Sequence, residues 1–235
     1  MKQIFDMVKI FFIAMMVIVG LSVAGCSTTR PAAKTGPTYA ELAELEDKVK
    51  ALESENDAKQ KEIDELKNVK ATKDTELSEL EKAQQELEKR LKGELDQYKA
   101  KLEMTERGLV LTFMAEVFFD PGKSDIKEDA KPVLQQVAEV LNTKVADLKV
   151  AVEGHTDNDP IKYSGWKSNW ELASARALAV LHYFVDDGNV KPERVSANSY
   201  GEFRPVAAND SPENKKKNRR VEVIILPTQQ MKIAK

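Results

Sequence analysis

The chain has 235 residues, of which 32% are charged and 42% are hydrophobic, and its formal net charge is −3. This length suits one or two domains, and the near balance of 36 basic and 39 acidic side chains does not favour nucleic-acid binding. The single cysteine excludes an internal disulfide and a cysteine-cluster metal site, and two histidines leave little for a histidine-rich metal centre.

The N-terminal segment has the pattern of an export signal. Lys2 and Lys9 flank the start, an apolar run extends from Ile10 to Val19, and small residues continue to Gly25. A positively charged start, a short apolar core and a small-residue end are typical of a secretory signal peptide. A retained transmembrane helix is the alternative, because the apolar run is near the shorter end of the spanning length.

The end of this segment, Val23-Ala24-Gly25-Cys26, resembles a bacterial lipobox, in which the cysteine becomes the lipidated first residue of the mature chain. The resemblance implies a lipoprotein signal peptide over residues 1–25 and lipid attachment at Cys26. Because Ser27 is not an aspartate, it further implies the outer membrane, with the protein facing the periplasm. Residues 26–38 are rich in small residues and proline, and we expect a flexible linker there.

Residues 39–107 have the pattern of a long helix. Apolar residues recur with heptad spacing from Leu42 to Leu91 in a highly charged sequence, which is typical of a coiled coil. Five polar positions interrupt the seam, Asn56, Lys59, Lys70, Lys73 and Gln84, and the first four weaken it. We therefore expect a coiled-coil or single-helix spacer that associates weakly into a homo-oligomer. A lone charged helix is the alternative.

Residues 108–228 predict a globular domain of the α/β (α+β) class, followed by a short tail over 229–235. Alternating or continuous apolar runs predict strands, and apolar spacings of three and four predict helices. The predicted strands cover 109–113, 117–119, 148–152, 194–200 and 220–226, and the predicted helices cover 128–141 and 170–185. The order β-α-β-α-β-β predicts a two-layer sandwich with both helices on one face of a mixed sheet.

Five motifs within this domain carry a resemblance. They are Glu153-Gly154-His155-Thr156-Asp157; Asn169 with Leu172 and Arg176-Ala177; Ser199-Tyr200-Gly201-Glu202; Pro205 with Asn209; and Asn218-Arg219-Arg220-Val221-Glu222. In this order over residues 109–228 they resemble the OmpA-like peptidoglycan-binding domain. The insert from Pro160 to Leu172 is closer to the flagellar motor stator subunit MotB than to OmpA. Ala173 and Lys215 depart from the family pattern, which usually has Ser and Arg there.

The resemblance implies a site for diaminopimelate, whose free end carries an ammonium and a carboxylate. Asp157 would accept from the ammonium, and Arg176 would bind the carboxylate with its planar fork, which a lysine cannot replace. Asn169 would add a neutral hydrogen bond, and Asp120 matches a further contact position. A structural salt bridge between Asp157 and Arg176 is the alternative reading of the pair.

No catalytic residue, cofactor or metal is expected. His155 with Asp157 and Asp159 is a poor set of metal ligands, and the tryptophans Trp166 and Trp170 either line the pocket or pack in the core. The resemblance implies a non-catalytic tether between the outer membrane and peptidoglycan. Three alternatives stay open: a MotB-like stator component, a coiled-coil envelope assembly factor and, least favoured, a peptidoglycan-acting enzyme. A stator needs a carboxylate in its membrane helix, and residues 10–25 contain none.

Overall fold

The computed structural model of the chain describes residues 37–97, 99–162 and 165–228. The expected signal peptide, the lipidation site at Cys26 and most of the expected linker lie outside the described residues. The chain divides into two compact units, residues 1–59 and 60–235. Within the described part, no helix is both long enough and apolar enough to cross a membrane.

The first helix, α1, runs from Tyr39 to Arg90. It begins with a capping box, in which the Glu41 N–H donates to Thr38 Oγ1 and the Thr38 N–H donates to Glu41 Oε2. This reciprocal pair satisfies backbone donors that the first helical turn leaves free. In the first unit, the apolar residues of the heptad stripe are exposed; they are Leu42, Leu45, Val49 and Leu52.

In the second unit, the C-terminal turns of α1 are part of the domain. Their apolar side chains lie in the main hydrophobic core: Leu80, Ala83, Leu87 and Leu91. This part of the heptad stripe is therefore used for packing within the chain. A coiled coil between copies of the chain can use only the exposed part that precedes it.

The expectation that the helix continues to residue 107 was wrong. Only a short helix α2, Lys92–Asp96, follows α1, and the strand β1, Ala100–Thr105, then forms an antiparallel hairpin with β2, Gly108–Met114. Alternate residues of β1 face the core, and this period of two overlaps a helical spacing in the sequence. Gly108 supports the turn because its φ of +116° lies in the region that favours glycine.

The remaining elements complete a two-layer α+β domain, as predicted. They are α3, Ala115–Phe118; α4, Lys131–Thr143, after a 3-10 turn at Glu128–Ala130; β3, Lys149–His155; α5, Asn169–His182, continued by a π-helical turn at Tyr183–Asp187; a 3-10 turn at Pro192–Arg194; β4, Val195–Gly201; α6, Pro212–Asn218; and β5, Arg220–Leu226. The five strands lie in the order β1-β2-β5-β3-β4. The β3–β4 pair is parallel and the other pairs are antiparallel, so the sheet is mixed.

The strand predicted at 117–119 is instead the helical turn α3 and the residue after it. The Ala115 N–H donates to the Arg219 carbonyl, and the Phe119 N–H donates to the Ala115 carbonyl. Phe118 and Phe119 are buried in the core. Their apolar character therefore reflects burial rather than strand pairing, and the chain turns here toward the loop at residues 120–123.

The main core lies between one face of the sheet and the helices. Alternate residues of β2, β3 and β5 face it, and the buried faces of α4, α5 and the end of α1 pack against them. The opposite face of the sheet has only a small apolar cluster, formed by Val110, Ala151 and Ile224 with Leu226 packed beside them. Buried charged groups cover much of the rest of that face.

One close approach positions α5 on the sheet. A Cβ atom added to Gly154 in β3 would lie 2.0 Å from the backbone carbonyl oxygen of Ala173 in α5. Only glycine allows the helix backbone to lie this near the strand. The approach brings the residue after β3 and the first two turns of α5 to the same edge of the domain, where the candidate site lies.

Candidate functional site

A cavity of about 680 Å³ opens where β3 ends and α5 begins. Four segments supply its walls: residues 115–123, residues 156–162, the first turns of α5, and Arg219 before β5. The lining residues include all four binding residues expected from the sequence, which are Asp120, Asp157, Asn169 and Arg176. The fold therefore brings together side chains that are up to 56 residues apart in the chain.

Asp157 is the second residue after β3 and is buried. Its Oδ1 accepts from the Asp159 N–H at 3.1 Å, which is an Asx-type turn, and its Oδ2 accepts from Arg219 Nη1 at 2.5 Å. The carboxylate is thus fixed at the cavity wall by one backbone donor and one guanidinium.

Arg176 lies in the second turn of α5 and is also buried. Its Nε donates to the Lys123 carbonyl at 3.0 Å, and its Nη2 lies 3.4 Å from the Asp120 carbonyl. The guanidinium carbon lies 5.3 Å from the centroid of the Phe119 ring. Since a guanidinium has five N–H groups and two are used here, three remain for a ligand.

Burial, with a smaller contribution from the neighbouring Arg219 guanidinium, lowers the pKa of Arg176 to about 10, while Asp157 opposes the shift. Arg176 therefore stays protonated near neutral pH. Asp157 pairs with Arg219 and not with Arg176. The structure therefore does not have the direct salt bridge between Asp157 and Arg176 that the sequence left open as an alternative.

Asn169 holds the loop after β3. Its Nδ2 lies 2.6 Å from Glu202 Oε2, 3.1 Å from the Asp159 carbonyl and 3.3 Å from the Asp157 carbonyl. Its amide donor is thus directed at protein groups. Asp120 has an exposed carboxylate near Lys123 and Lys127, and its backbone carbonyl faces Arg176.

Sequence reasoning did not assign Arg219, Thr156 or Glu202 to the site. Arg219 was visible in the Asn218-Arg219-Arg220 motif, but nothing in the motif distinguishes the two arginines. Since neighbouring residues of a strand face opposite sides, Arg220 instead lies on the far face of the sheet, bonded to Glu222. Thr156 lines the cavity with a fully buried hydroxyl that has no hydrogen-bond partner within the described part of the chain.

The insert beside the cavity is tied to the domain by two contacts. Trp166 donates from Nε1 to the Gly122 carbonyl at 2.9 Å, and Lys215 forms an ion pair with Asp159 at 2.7 Å. Lys215, which departs from the family pattern, thus has a partner next to the insert. Neither Trp166 nor Trp170 is a lining residue. Trp170 is instead exposed on the surface.

A second polar cluster lies on the far face of the sheet. His155 Nε2 lies 4.0 Å from Glu153 Oε2 and 3.9 Å from Glu222 Oε1, and these three side chains are close enough to hold a metal ion. Arg107 Nη2 lies 2.5 Å from Glu153 Oε1, and Arg220 Nε lies 2.6 Å from Glu222 Oε1. Because two guanidiniums already balance the two carboxylates, the cluster has no net negative charge to attract a divalent cation.

His155 itself is neutral in this cluster. Burial, followed by the positive charges of Arg220, Arg107 and Arg204, lowers its pKa from 6.5 to about 3. Its ring stacks on Tyr200, with 5.3 Å between the ring centroids. The cluster is therefore best described as a buried ion-pair network that covers the sheet.

A sequence profile described as the OmpA family matches residues 118–219, the stretch that contains the whole cavity wall except the start of α3. This domain belongs to the OmpA family. The resemblance inferred from the five motifs is thereby confirmed.

Individual relatives agree with this assignment. Motility protein B of Bacillus subtilis (strain 168) is 36% identical over 149 residues, which are 63% of this chain and 57% of that protein. The chain thus spans less than two thirds of the length of this relative. Among solved structures, the periplasmic domain of Helicobacter pylori MotB matches with a TM-score of 0.52 at 30% identity, covering 55% of this chain and 83% of that one.

A third similarity is to a protein described as the cell wall anchor of the T6SS from Pseudomonas aeruginosa. It has a TM-score of 0.55 at 28% identity and covers 60% of this chain and 96% of that chain.

Proposed function

We propose that the OmpA-family domain binds peptidoglycan non-covalently and without catalysis, by holding the free amino-acid end of diaminopimelate in the cavity. The observation that carries this proposal is the convergence of Asp157, Arg176 and Arg219 on one cavity wall. A ligand group that bears an ammonium and a carboxylate on one carbon finds an oppositely charged partner for each. The similarity to a cell wall anchor supports a ligand that is part of the cell wall.

Binding proceeds by exchange of partners at Asp157. In the structure, Arg219 Nη1 donates to Oδ2 of this carboxylate. The ligand ammonium would share that oxygen, and the ligand carboxylate would take the N–H groups that remain on Arg176 and on Arg219, whose side chain is partly exposed. Charge-assisted, bidentate bonds of this kind are among the strong hydrogen bonds in proteins.

Three further residues shape the site. The buried hydroxyl of Thr156 is available to a bound polar group. Asn169 acts mainly as a positioning residue, because its amide nitrogen is directed at Glu202 and at the loop that carries Asp157. Asp120 remains a peripheral contact, since its carboxylate is exposed at the cavity rim.

The test is sedimentation of the full-length protein with purified sacculi. Asp157→Asn and Arg176→Lys should each weaken binding by roughly thirtyfold or more, because truncating one side of a desolvated charge pair costs about 2–5 kcal/mol. Asp186→Asn, an exposed carboxylate just after α5, is the matched control and should bind like the wild type. Thermal melts establish that each variant is folded.

The same assay tests the identity of the ligand. Sacculi with lysine at the third position of the stem peptide lack the second carboxylate, so binding to them should be lost. If Asp157→Asn and Arg176→Lys both bind wild-type sacculi as well as the parent protein, the cavity is not the site and the proposal is wrong.

We further infer that a lipid on Cys26 anchors the chain in the outer membrane, with α1 as the spacer. The lipobox resemblance supports this role, whereas the similarity to Motility protein B supports a MotB-like stator component as the second candidate. Palmitate labelling of the wild type against Cys26→Ser separates the two. A Cys26→Ser protein that stays in the membrane fraction at unchanged size would favour a retained helix, as the stator role requires.

A further inference from the structure

Two exposed aromatic rings stack on each other beside the cavity. Trp170, in the first turn of α5, is 47% exposed, and Phe203, in the turn after β4, is 63% exposed. Their ring centroids lie 5.3 Å apart and their planes differ by 24°. Neither residue belongs to the hydrophobic core of the domain. We call this stacked pair the aromatic platform. Large apolar side chains that are exposed together indicate an interaction surface.

The platform is held in place by the backbone beneath it. Gly201, which has a φ of +51°, lies beneath the Trp170 ring, and a Cβ at this position would be in van der Waals contact with the ring at 3.4 Å. Ser199 Oγ donates to the Trp170 carbonyl at 3.1 Å, and the Phe203 N–H donates to the Tyr200 carbonyl at 3.1 Å. A surface that is ordered before binding loses less conformational entropy when a ligand arrives.

The platform adjoins the cavity through both of its segments. Asn169 precedes Trp170, Glu202 precedes Phe203, and the side chains of Asn169 and Glu202 are joined by a hydrogen bond of 2.6 Å. Asn169 lines the cavity. Trp170 and Phe203 are the residues that follow Asn169 and Glu202. Their Cα atoms therefore lie about 3.8 Å from those of the two residues that form this contact.

We propose that the aromatic platform, Trp170 and Phe203, binds sugar rings of the peptidoglycan glycan strand. This inference rests on the proposed function. A pyranose ring has an apolar C–H face and a polar rim of hydroxyl groups, and a flat, uncharged aromatic surface matches that face. The stem peptide is covalently attached to the glycan, so its third residue in the cavity keeps the sugar within about 10 Å, at 3.3–3.6 Å per extended residue.

The experiment compares two probes by calorimetry with the full-length protein. The first probe is free diaminopimelate, and the second is the soluble disaccharide-peptide released from diaminopimelate-containing sacculi. Trp170→Ala and Phe203→Ala should each weaken binding of the disaccharide-peptide by roughly fivefold to tenfold, the size of a moderate interface residue, while binding of diaminopimelate changes less than about twofold. Leu178→Ala, an exposed apolar residue on the same helix, is the control and should change neither.

The outcomes separate this inference from the proposed function. If Trp170→Ala and Phe203→Ala bind the disaccharide-peptide like the wild type, or lose both probes equally, the platform is not a sugar site. A wild-type protein that binds the disaccharide-peptide through the platform but does not bind diaminopimelate overturns the cavity assignment alone. If it binds neither probe, both proposals are wrong. Phe203 lies in a turn, so its variant keeps the test valid should Trp170→Ala fail to fold.

Discussion

Asp157 and Arg219 lie 62 residues apart in the chain and meet as an ion pair at the cavity wall, 2.5 Å apart. The two partners are unequally buried: the Asp157 side chain is 7% exposed and that of Arg219 is 39% exposed. Arg219 can therefore regain water if its partner is removed, whereas Asp157 cannot. Loss of the Arg219 charge should therefore lower the stability of the fold more than loss of the Asp157 charge.

We predict that Arg219→Gln lowers the free energy of unfolding more than Asp157→Asn does. The first change leaves a buried carboxylate without its guanidinium, which costs about 1–3 kcal/mol, while the second leaves a solvated arginine and keeps the acceptor of the Asp159 N–H. Urea denaturation of both variants and of the double variant measures the difference. Equal losses from the two single changes would contradict the prediction.

Gly154→Ala should strongly destabilise the domain. The added methyl group would lie 2.0 Å from the Ala173 carbonyl oxygen, so α5 must shift. Because α5 also positions Arg176 at the cavity wall, the shift would disturb the site as well. Overpacking of this kind costs about 1–3 kcal/mol or more. Gly93→Ala is the matched control: nothing lies within 4 Å of its added methyl group, and a helical Gly→Ala change should stabilise by about 0.5–1 kcal/mol.

His155 should make stability depend on pH in the acid range. Burial and the nearby arginines lower the pKa of folded His155 to about 3, so the unfolded chain binds a proton that the folded chain does not between pH 6.5 and 3. The free energy of unfolding should therefore fall as pH decreases through this window, by up to about 1.4 kcal/mol per pH unit from this group. Chemical denaturation at pH 7, 6 and 5 measures the slope.

Two histidine variants isolate this contribution. His155→Gln removes the buried imidazole and should flatten the slope between pH 6.5 and 5, whereas His182→Gln removes an exposed imidazole and should leave the slope as in the wild type. A slope that His155→Gln does not change would show that other groups cause the acid dependence.

Leu87→Ala and Leu52→Ala should differ although both residues belong to the same heptad stripe. Leu87 is 1% exposed in the domain core, and its truncation should lower the free energy of unfolding by about 2–5 kcal/mol. Leu52 is 63% exposed, and its truncation should change stability by less than about 0.5 kcal/mol. Thermal and urea unfolding of the full-length protein give both values.

The exposed part of the stripe should associate weakly. A peptide of residues 39–76 is expected to show helical circular dichroism that increases with concentration, because helices of this type gain stability by covering apolar seams. Leu45→Glu should remove the concentration dependence, and Ala58→Glu, outside the stripe, should keep it. A helical signal that does not vary with concentration would indicate a lone helix.

Much of the fold was predictable because the spacing of apolar residues along the chain indicates which face of a helix or strand is buried. The amphipathic spacing of α4 and the alternation in β3 and β5 gave these elements nearly at their observed positions. The strand β1 was missed, since Leu95, Tyr98 and Leu102 continue a helical spacing while residues 100–105 also alternate. Long-range pairing with β2 decides between these two readings, and no local pattern contains that information.

The sequence alone determined the class of domain, its family and four residues that line the cavity, namely Asp120, Asp157, Asn169 and Arg176, because five motifs in order along the chain carry the family resemblance. Tertiary structure alone decided that Asp157 is paired with Arg219, that Asn169 holds the loop, and that Trp170 lies on the surface against Phe203. These contacts join residues that are 10 to 62 positions apart in the chain. The sheet and α5 decide which side chains come within contact distance of each other. Their arrangement depends on the packing of the whole domain, so a local sequence pattern does not reveal these partners.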